Sequence, residues 1–151
     1  MIVSFFGHKH FPQRPEYEEK IFRVLEDEVG EKNAEFYLGD YGDFDKLAYF
    51  CCKKYQTTHP NVSLLFITPY ITEEYQKNHL AYKSTIYDEI IYPAIEDKPL
   101  RFAITYRNKW MAERADIVIC GVLHYSGGAY DACKHAKRKN KPIFNVCGID
   151  F

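Results

Sequence analysis

The sequence predicts an α/β protein, a three-layer sandwich in which helices cover both faces of a mostly parallel sheet of five or more strands. Short apolar runs alternate with helical patterns along the 151 residues, and each run ends at glycine, proline or a polar cluster. One run, Val62 to Thr68, is almost continuously apolar, as is typical of a central parallel strand buried on both faces. No internal repeat is present, so we expect residues 1–151 to form a single domain.

The first half of the chain predicts two strands, each followed by a helix. Ile2 to Phe6 is the first strand, and Pro15 suits the first turn of the helix that follows it. Ala34 to Leu38 is the second strand, and Asp43 is expected to cap the next helix. The apolar positions of the two helices are Tyr17, Ile21, Val24 and Leu25, then Phe44, Leu47, Ala48, Cys51 and Tyr55.

Residues 70–97 are the least regular part of the chain. Tyrosines are scattered among charged residues there, and Pro93 and Pro99 prevent one long helix. We interpret the segment as an excursion from the sheet that contains a short helix and acts as a lid.

The last third of the chain returns to the alternating pattern. Arg101 to Arg114 predicts a helix, Asp116 to Val122 a strand, and a further helix runs from the glycine pair to about Asn140. Ile143 to Val146 is the final strand. The residues expected to face the core from the first of these helices are Phe102, Ala103, Tyr106 and Trp110.

Composition argues against duplex nucleic acid and membranes as partners. The chain has 20 Lys and Arg against 21 Asp and Glu, so it lacks the basic field that attracts duplex phosphates. Its five cysteines lie in apolar stretches, which is typical of reduced core residues. Neither a membrane span nor a signal peptide is recognisable, so we expect a cytoplasmic protein.

The loops that follow the strands carry the candidate site. They are Gly7-His8-Lys9, Gly39-Asp40-Tyr41-Gly42, the loop at Tyr70, and Ser126-Gly127-Gly128. In a parallel sheet these loops share one edge, where ligands bind. Two of them place glycine and polar residues directly before a helix, where free N–H groups and the helix dipole attract an anion. Phosphate is the expected guest.

Several of these residues keep two interpretations. The pair Gly127-Gly128 is either a phosphate loop or an ordinary tight turn. Asp40, Asp43 and Asp45 resemble a carboxylate cluster, but they lack the D-x-[DN]-x-[DN]-G pattern of a calcium loop and capping explains Asp43. The alternative function for Asp40 is to accept a ribose hydroxyl. Arg107 and Asn108 either recognise phosphate and base edges or lie on a solvated helix face. The loop tyrosines Tyr41, Tyr70, Tyr125 and Tyr130 pack in the core or stack on a nucleobase.

Other functional motifs are missing. His8 and His10 form an H-x-H pair, but no carboxylate or cysteine accompanies them at a metal-ligand spacing. Ser126 does not sit in a G-x-S-x-G nucleophile elbow because residue 124 is histidine. The P-loop and the G-x-G-x-x-G fingerprint are also absent. We therefore expect neither a metal nor a cofactor.

Four stretches together resemble a known family. "FFGHKHFP", "FYLGDYGDFDKLA", "RFAITYRNKWMAERADIVICGV" and "SGGAYDACKHAKRKNKPIFNV" are similar to the SLOG superfamily, and within it to the small stand-alone YpsA-like proteins of Firmicutes and their phages. The resemblance covers nearly the whole chain, and residues 70–97 match least. Relatives include the DNA-processing protein A family, the lonely-guy phosphoribohydrolases and nucleotide-sensing domains of antiphage defence.

The resemblance implies a Rossmann-like sheet that binds a nucleotide or a nucleotide-derived signal, with self-association of the chain. It implies that the phosphate lies at Gly7 and at Ser126-Gly127-Gly128. Together with the strand-end loops, it gives the expected ligand-binding residues as Gly7, His8, Lys9, Gly39, Asp40, Tyr41, Gly42, Tyr70, Arg107, Asn108, Ser126, Gly127, Gly128, Ala129 and Tyr130.

The same resemblance argues against hydrolysis as the main function. The phosphoribohydrolases carry P-G-G-x-G-T-x-x-E with a catalytic glutamate, and here Lys134 occupies that position. We therefore expect a binding protein, a sensor or a sequestering protein linked to phage defence or counter-defence. The alternative is an N-glycosidic hydrolase that acts on nucleoside 5′-monophosphates and uses Asp131, Asp40 or an acid of residues 70–97. A third possibility is binding of single-stranded nucleic acid by the tyrosines and the basic helix.

Overall fold

The computed structural model describes all residues from 1 to 151 and contains one six-stranded sheet with strand order β4-β3-β2-β1-β5-β6. Every neighbouring pair of strands is parallel. The strands are β1 (Ile2–Gly7), β2 (Ala34–Leu38), β3 (Val62–Ile67), β4 (Glu89–Ile91), β5 (Ile117–Gly121) and β6 (Ile143–Asn145). The predicted Rossmann-like α/β architecture is confirmed.

Helices lie on both faces of this sheet. They are α1 (Pro15–Glu28), α2 (Asp43–Thr58), α3 (Glu73–Tyr75), α4 (Ala81–Ile86), α5 (Ala103–Arg114) and α6 (Gly128–Arg138). A π-helical turn, Gln76–Leu80, joins α3 to α4, and a 3-10 turn, Leu100–Phe102, precedes α5. None of the helices combines the length and the apolar character needed to cross a membrane.

Strand alternation divides the apolar residues into two cores. Because successive side chains of a strand point to opposite faces, Phe5 packs in one core and Phe6 in the other. Helices α1 and α2 cover the first core, while α5 and α6 cover the second. All five cysteines are free, and only Cys147 is not fully buried, in agreement with the predicted reduced thiols.

The strand order places a crevice beside β1. From β1 the chain proceeds outward through β2, β3 and β4, and then returns to add β5 and β6 on the other side of β1. Loops at the carboxyl ends of β1 and β5 therefore diverge toward opposite faces of the sheet, which opens a binding crevice between them.

The excursion over residues 70–97 holds a strand that the sequence analysis missed. Strand β4 is three residues long and pairs with β3 at the sheet edge. The Asp88 carboxylate fixes this edge, because it accepts hydrogen bonds from the amide of Leu64 at 2.8 Å and from Gln56 Nε2 at 2.8 Å. A strand this short shows no alternation in sequence, which is why only the helix was predicted.

Two local predictions were wrong. Gly42, not Asp43, is the N-cap of α2; Asp43 is the first helical residue, and its carboxylate accepts a hydrogen bond from the amide of Phe11 at 3.3 Å. Phe102 is 43% exposed rather than in the core. The inward face of α5 is instead formed by Ala103, Arg107, Met111 and Ala112.

Candidate functional site

A cleft of about 300 Å³ lies at the carboxyl edge of the sheet, between the loops that follow β1 and β5. It brings together residues from both of these loops, from the loop after β2, and from α5. The sequence-predicted residues that line it are Gly7, His8, Lys9, Gly39, Tyr41, Arg107, Asn108, Gly127, Gly128 and Ala129. The cleft also contains Asp45, His10, His124 and Ile104, which the sequence analysis did not select.

The N-terminus of α6 opens into this cleft. Its N-cap is Gly127, whose φ of 94° is a left-handed value that disfavours other residues, and no side chain caps the helix. The first intrahelical bond runs from the amide of Asp131 to the carbonyl of Gly127 at 3.0 Å, so the preceding amides of the first turn remain free. A Cβ atom on Gly128 would lie 4.0 Å from its nearest neighbour, Asn108 Nδ2. The helix terminus therefore has room for an anion.

Arg107 supplies a buried positive charge to the cleft. The residue is only 2% exposed. Its Nη1 donates to the carbonyls of Ile67 at 2.7 Å and Gly39 at 3.2 Å, and its Nε donates to Asn108 Oδ1 at 2.9 Å. Nη2 makes no hydrogen bond within the protein. Every fully buried side-chain nitrogen has a hydrogen-bond partner, so Nη2 is not fully buried and is open to the cleft.

Burial lowers the pKa of Arg107, and the negative charge of Asp45 opposes that effect. A guanidinium remains protonated in proteins even when it is desolvated. The two protein carbonyls therefore hold a permanent cation in a fixed orientation, with the two N–H groups of Nη2 free for ligand oxygens.

His8 contributes a second fixed donor. Its Nε2 accepts a hydrogen bond from the amide of Leu123 at 2.9 Å, so the neutral ring carries its proton on Nδ1. The ring stacks on His124 with a centroid separation of 3.8 Å, and His124 Nδ1 lies 3.1 Å from the Ser126 hydroxyl. Burial and the neighbouring His124 lower the pKa of His8, which favours this neutral form.

Asp45 is the one acid that lines the cleft. It lies in the first turn of α2 and is 7% exposed. Its Oδ2 accepts a hydrogen bond from the amide of Tyr41 at 2.8 Å. Desolvation raises the pKa of this carboxyl from 3.8 to about 6, although the backbone hydrogen bond from Tyr41 and the charge of Arg107 counteract the shift.

Three of the predicted glycines have packing roles at this edge. A Cβ on Gly7 would lie 2.0 Å from Phe44 Cγ, and one on Gly42 would lie 2.4 Å from Lys9 Cα. Gly39 permits the approach of Arg107, whose Cζ would be 3.1 Å from an added Cβ. The backbone of these loops is therefore set by packing as well as by the cleft.

The N-terminus of α2 is not an open anion site, contrary to the sequence-based expectation for the loop that precedes it. The amide of Asp43 donates to the carbonyl of Lys9 at 2.8 Å, and the carboxyl groups of Asp43 and Asp45 occupy the first turn. Of the two loops predicted to receive an anion, only the one before α6 presents free amides to the cleft.

Five predicted residues do not line the cleft. They are Asp40, Gly42, Tyr70, Ser126 and Tyr130. Asp40 forms an ion pair with Lys83 of α4, which attaches the excursion to the end of β2. Tyr130 packs against Tyr125 and Phe151.

The acids and histidines elsewhere form no recognisable catalytic or metal centre. Asp131, the alternative catalytic residue, is exposed on α6 outside the cleft, and Lys134 is exposed one turn further along. No group of three or more His, Cys, Asp or Glu side chains is placed to hold a metal ion.

Comparisons with known proteins identify the fold. No protein-family model matches the chain, and no curated protein matches its sequence. Among solved structures, DNA processing protein A from Streptococcus pneumoniae is similar with a TM-score of 0.62 and 15% sequence identity over 95% of this chain and 49% of that protein. The Helicobacter pylori protein of the same name, described with a single-stranded DNA binding mode, gives a TM-score of 0.63 and 18% identity over 96% of this chain and 64% of that protein.

These similarities show a fold of the kind found in DNA processing protein A, as the resemblance to the SLOG superfamily implied. The chain spans only half to two thirds of the length of these two proteins.

Proposed function

We propose that this protein binds a nucleotide or nucleotide-derived ligand in the cleft, with the phosphate at the N-terminus of α6, and acts as a sensor or sequestering protein. One observation carries the proposal. The uncapped α6 terminus, the free Nη2 of Arg107 and the neutral ring of His8 belong to the same cleft, so several fixed donors converge on one space.

The energetics require this convergence. A hydrogen bond to a charged group contributes about 1.5–3 kcal/mol, and a helix dipole about 0.3–1 kcal/mol when exposed. A micromolar complex needs about 8 kcal/mol, so three or four donors must act together. Backbone amides of α6, Arg107 and His8 supply that number.

The size of the cleft suits a single nucleotide. Its volume of about 300 Å³ lies at the lower end of the range for small-molecule sites. Tyr41 is 54% exposed and lines the cleft, and Lys9 Nζ lies 5.6 Å from its ring centroid. An exposed aromatic ring next to a cation offers a stacking surface for a base.

Substitution of Gly128 tests the phosphate position without disturbing the core. Gly128→Asp places a carboxylate at the helix terminus, where it is electrostatically favourable for folding but competes with phosphate. Gly128→Asn is the matched neutral control. In both variants the new Cβ has its nearest neighbour, Asn108 Nδ2, at 4.0 Å, so both side chains have room. We expect isothermal titration with nucleoside 5′-mono- and diphosphates and ADP-ribose to show at least tenfold weaker binding for Gly128→Asp than for Gly128→Asn. Equal affinities, or no binding to the wild-type protein, would contradict the proposal.

Single-stranded DNA is the second candidate ligand. The similar Helicobacter pylori protein is described as binding it, and this chain has an exposed basic cluster at the end of α6. The cluster consists of Lys134, Lys137, Arg138 and Lys139. Fluorescence anisotropy with a labelled oligo-dT strand at low salt distinguishes the two, because strand binding that uses this cluster weakens steeply as salt rises and is reduced by charge reversal at Lys137 and Arg138.

A further inference from the structure

The acid in the cleft is unexpected in a site for an anion. A carboxylate repels a phosphate, yet Asp45 lines the same cleft as Arg107 and the α6 terminus. A ligand that carried only negative charge would bind less well because of it. A ligand that presents a hydrogen-bond donor to Asp45 in addition to its phosphate would offset this repulsion.

One oxygen of Asp45 is available for such a donor. Oδ2 accepts the hydrogen bond from the Tyr41 amide at 2.8 Å. The Gly42 amide also stabilises the charged carboxyl, but no donor of the protein forms a hydrogen bond of standard geometry with Oδ1. Every fully buried side-chain oxygen in the protein has a hydrogen-bond partner. Oδ1 is therefore not fully buried, and it is open to the cleft. The residue is more than nine-tenths buried, and its carboxylate is held by α2 rather than by a flexible loop.

The surroundings of Asp45 favour a neutral donor over a cationic one. Arg107 is close enough to influence the charge of Asp45, but the two form no ion pair, since the guanidinium donates to the carbonyls of Gly39 and Ile67. An ammonium group placed against Asp45 would be repelled by this fixed cation. A hydroxyl group has no such penalty.

We propose that Asp45 recognises a sugar hydroxyl of the bound ligand, so that the cleft selects ribonucleotides over nucleotides whose sugar lacks its 2′- and 3′-hydroxyl groups. This inference rests on the proposed nucleotide-binding function and assigns the second half of the same site. A site built to accept a hydroxyl rejects an analogue that lacks it, because the buried acceptor is then left without a partner.

Paired ligands test the assignment. The four common ribonucleoside 5′-monophosphates and their 2′,3′-dideoxy counterparts are titrated into the protein at pH 8 by calorimetry. We expect at least one ribonucleotide to bind tenfold or more tightly than its dideoxy counterpart. In Asp45→Asn the amide oxygen still accepts the hydrogen bond from Tyr41. The affinity of this variant for the ribonucleotide should fall to within threefold of its affinity for the dideoxy compound.

Asp43→Asn is the matched control, since Asp43 is the other acid of the first turn of α2 and does not line the cleft. It should leave the ratio between the two ligands unchanged. Equal binding of both ligands to the wild-type protein overturns the role of Asp45 and leaves the nucleotide proposal intact. An unchanged ratio of the two affinities in Asp45→Asn also overturns the role of Asp45 and leaves the nucleotide proposal intact. If none of the eight nucleotides binds the wild-type protein, both proposals are overturned.

Discussion

Replacement of Asp45 by asparagine should stabilise the fold at neutral pH and have little effect in acid. Burial raises the pKa of Asp45 to about 6 in the folded protein, against 3.8 when the chain is unfolded. Between these two values the folded state binds more protons than the unfolded state, so the contribution of Asp45 to stability falls as the pH rises. Asparagine removes this ionisation, while its side-chain oxygen still accepts the hydrogen bond from Tyr41.

The magnitude follows from the shift. A rise of roughly two pKa units corresponds to about 3 kcal/mol, since each unit is about 1.36 kcal/mol. Asp45 is only 7% exposed, so solvent screening reduces this value little. The difference in unfolding free energy between Asp45→Asn and the wild type should therefore increase by about 2–3 kcal/mol from pH 4 to pH 7. The stronger hydrogen bond of the Tyr41 amide to the ionised carboxylate is already contained in this pKa, because that bond is one of the effects that lower it.

Urea denaturation of both proteins at half-unit steps from pH 4 to pH 8 measures this difference. Asp43→Asn serves as the control, because it removes one negative charge from the same first turn of α2, but from a carboxyl that is partly exposed. A pH-independent difference between Asp45→Asn and the wild type would refute the argument that the carboxylate is desolvated. A difference that grew toward acid pH would refute its sign.

Three further changes test the packing and electrostatics of the cleft. Gly7→Ala should lower the free energy of unfolding in urea by about 1–3 kcal/mol, because its Cβ would lie 2.0 Å from Phe44 Cγ; Gly128→Ala, with no neighbour nearer than 4.0 Å, should change it by less than about 1 kcal/mol. Arg107→Gln leaves at least one buried carbonyl without its donor and should cost about 1–3 kcal/mol in the same assay; an unchanged midpoint would contradict the geometry. His8→Gln should remove part of the loss of thermal stability below pH 6.5, since a histidine with a lowered pKa destabilises the fold as the pH falls; identical pH profiles would exclude this role.

The fold was predictable because its signals are local and repeated. The strand Ala34–Leu38 was predicted with the bounds that the structure has, and the start of α1 at Pro15 followed from the fixed φ of proline. Strand β4 was not predictable, since three residues at a sheet edge carry no periodic pattern. It forms because its backbone pairs with β3 and because the Asp88 carboxylate, just before β4, accepts a hydrogen bond from the amide of Leu64 in β3; these contacts are distant in sequence.

The site was only partly predictable because the sequence revealed neither the burial of Arg107 nor the position of Asp45 in the cleft. Hydropathy favoured Tyr106 and Trp110 as the inward residues of α5, yet Arg107 is the buried one. Its burial depends on the carbonyls of Gly39 and Ile67, which no pattern within α5 reveals. Asp45 was considered only as one of three nearby acids, although its place in the first turn after a glycine-rich loop was a usable signal.

The charge layout of the cleft bears on which nucleic-acid ligand fits it. A DNA strand has no 2′-hydroxyl and uses its 3′-oxygen in the backbone, so it offers no sugar hydroxyl to Asp45 except at its 3′ end. Its successive phosphates would also meet the carboxylate that lies in the same cleft as the α6 terminus. In the proposed binding mode a mononucleotide avoids both penalties, because its single phosphate group stays at the α6 terminus while its sugar faces Asp45. We therefore expect the same acid to weaken binding of a DNA strand and to favour a free ribonucleotide.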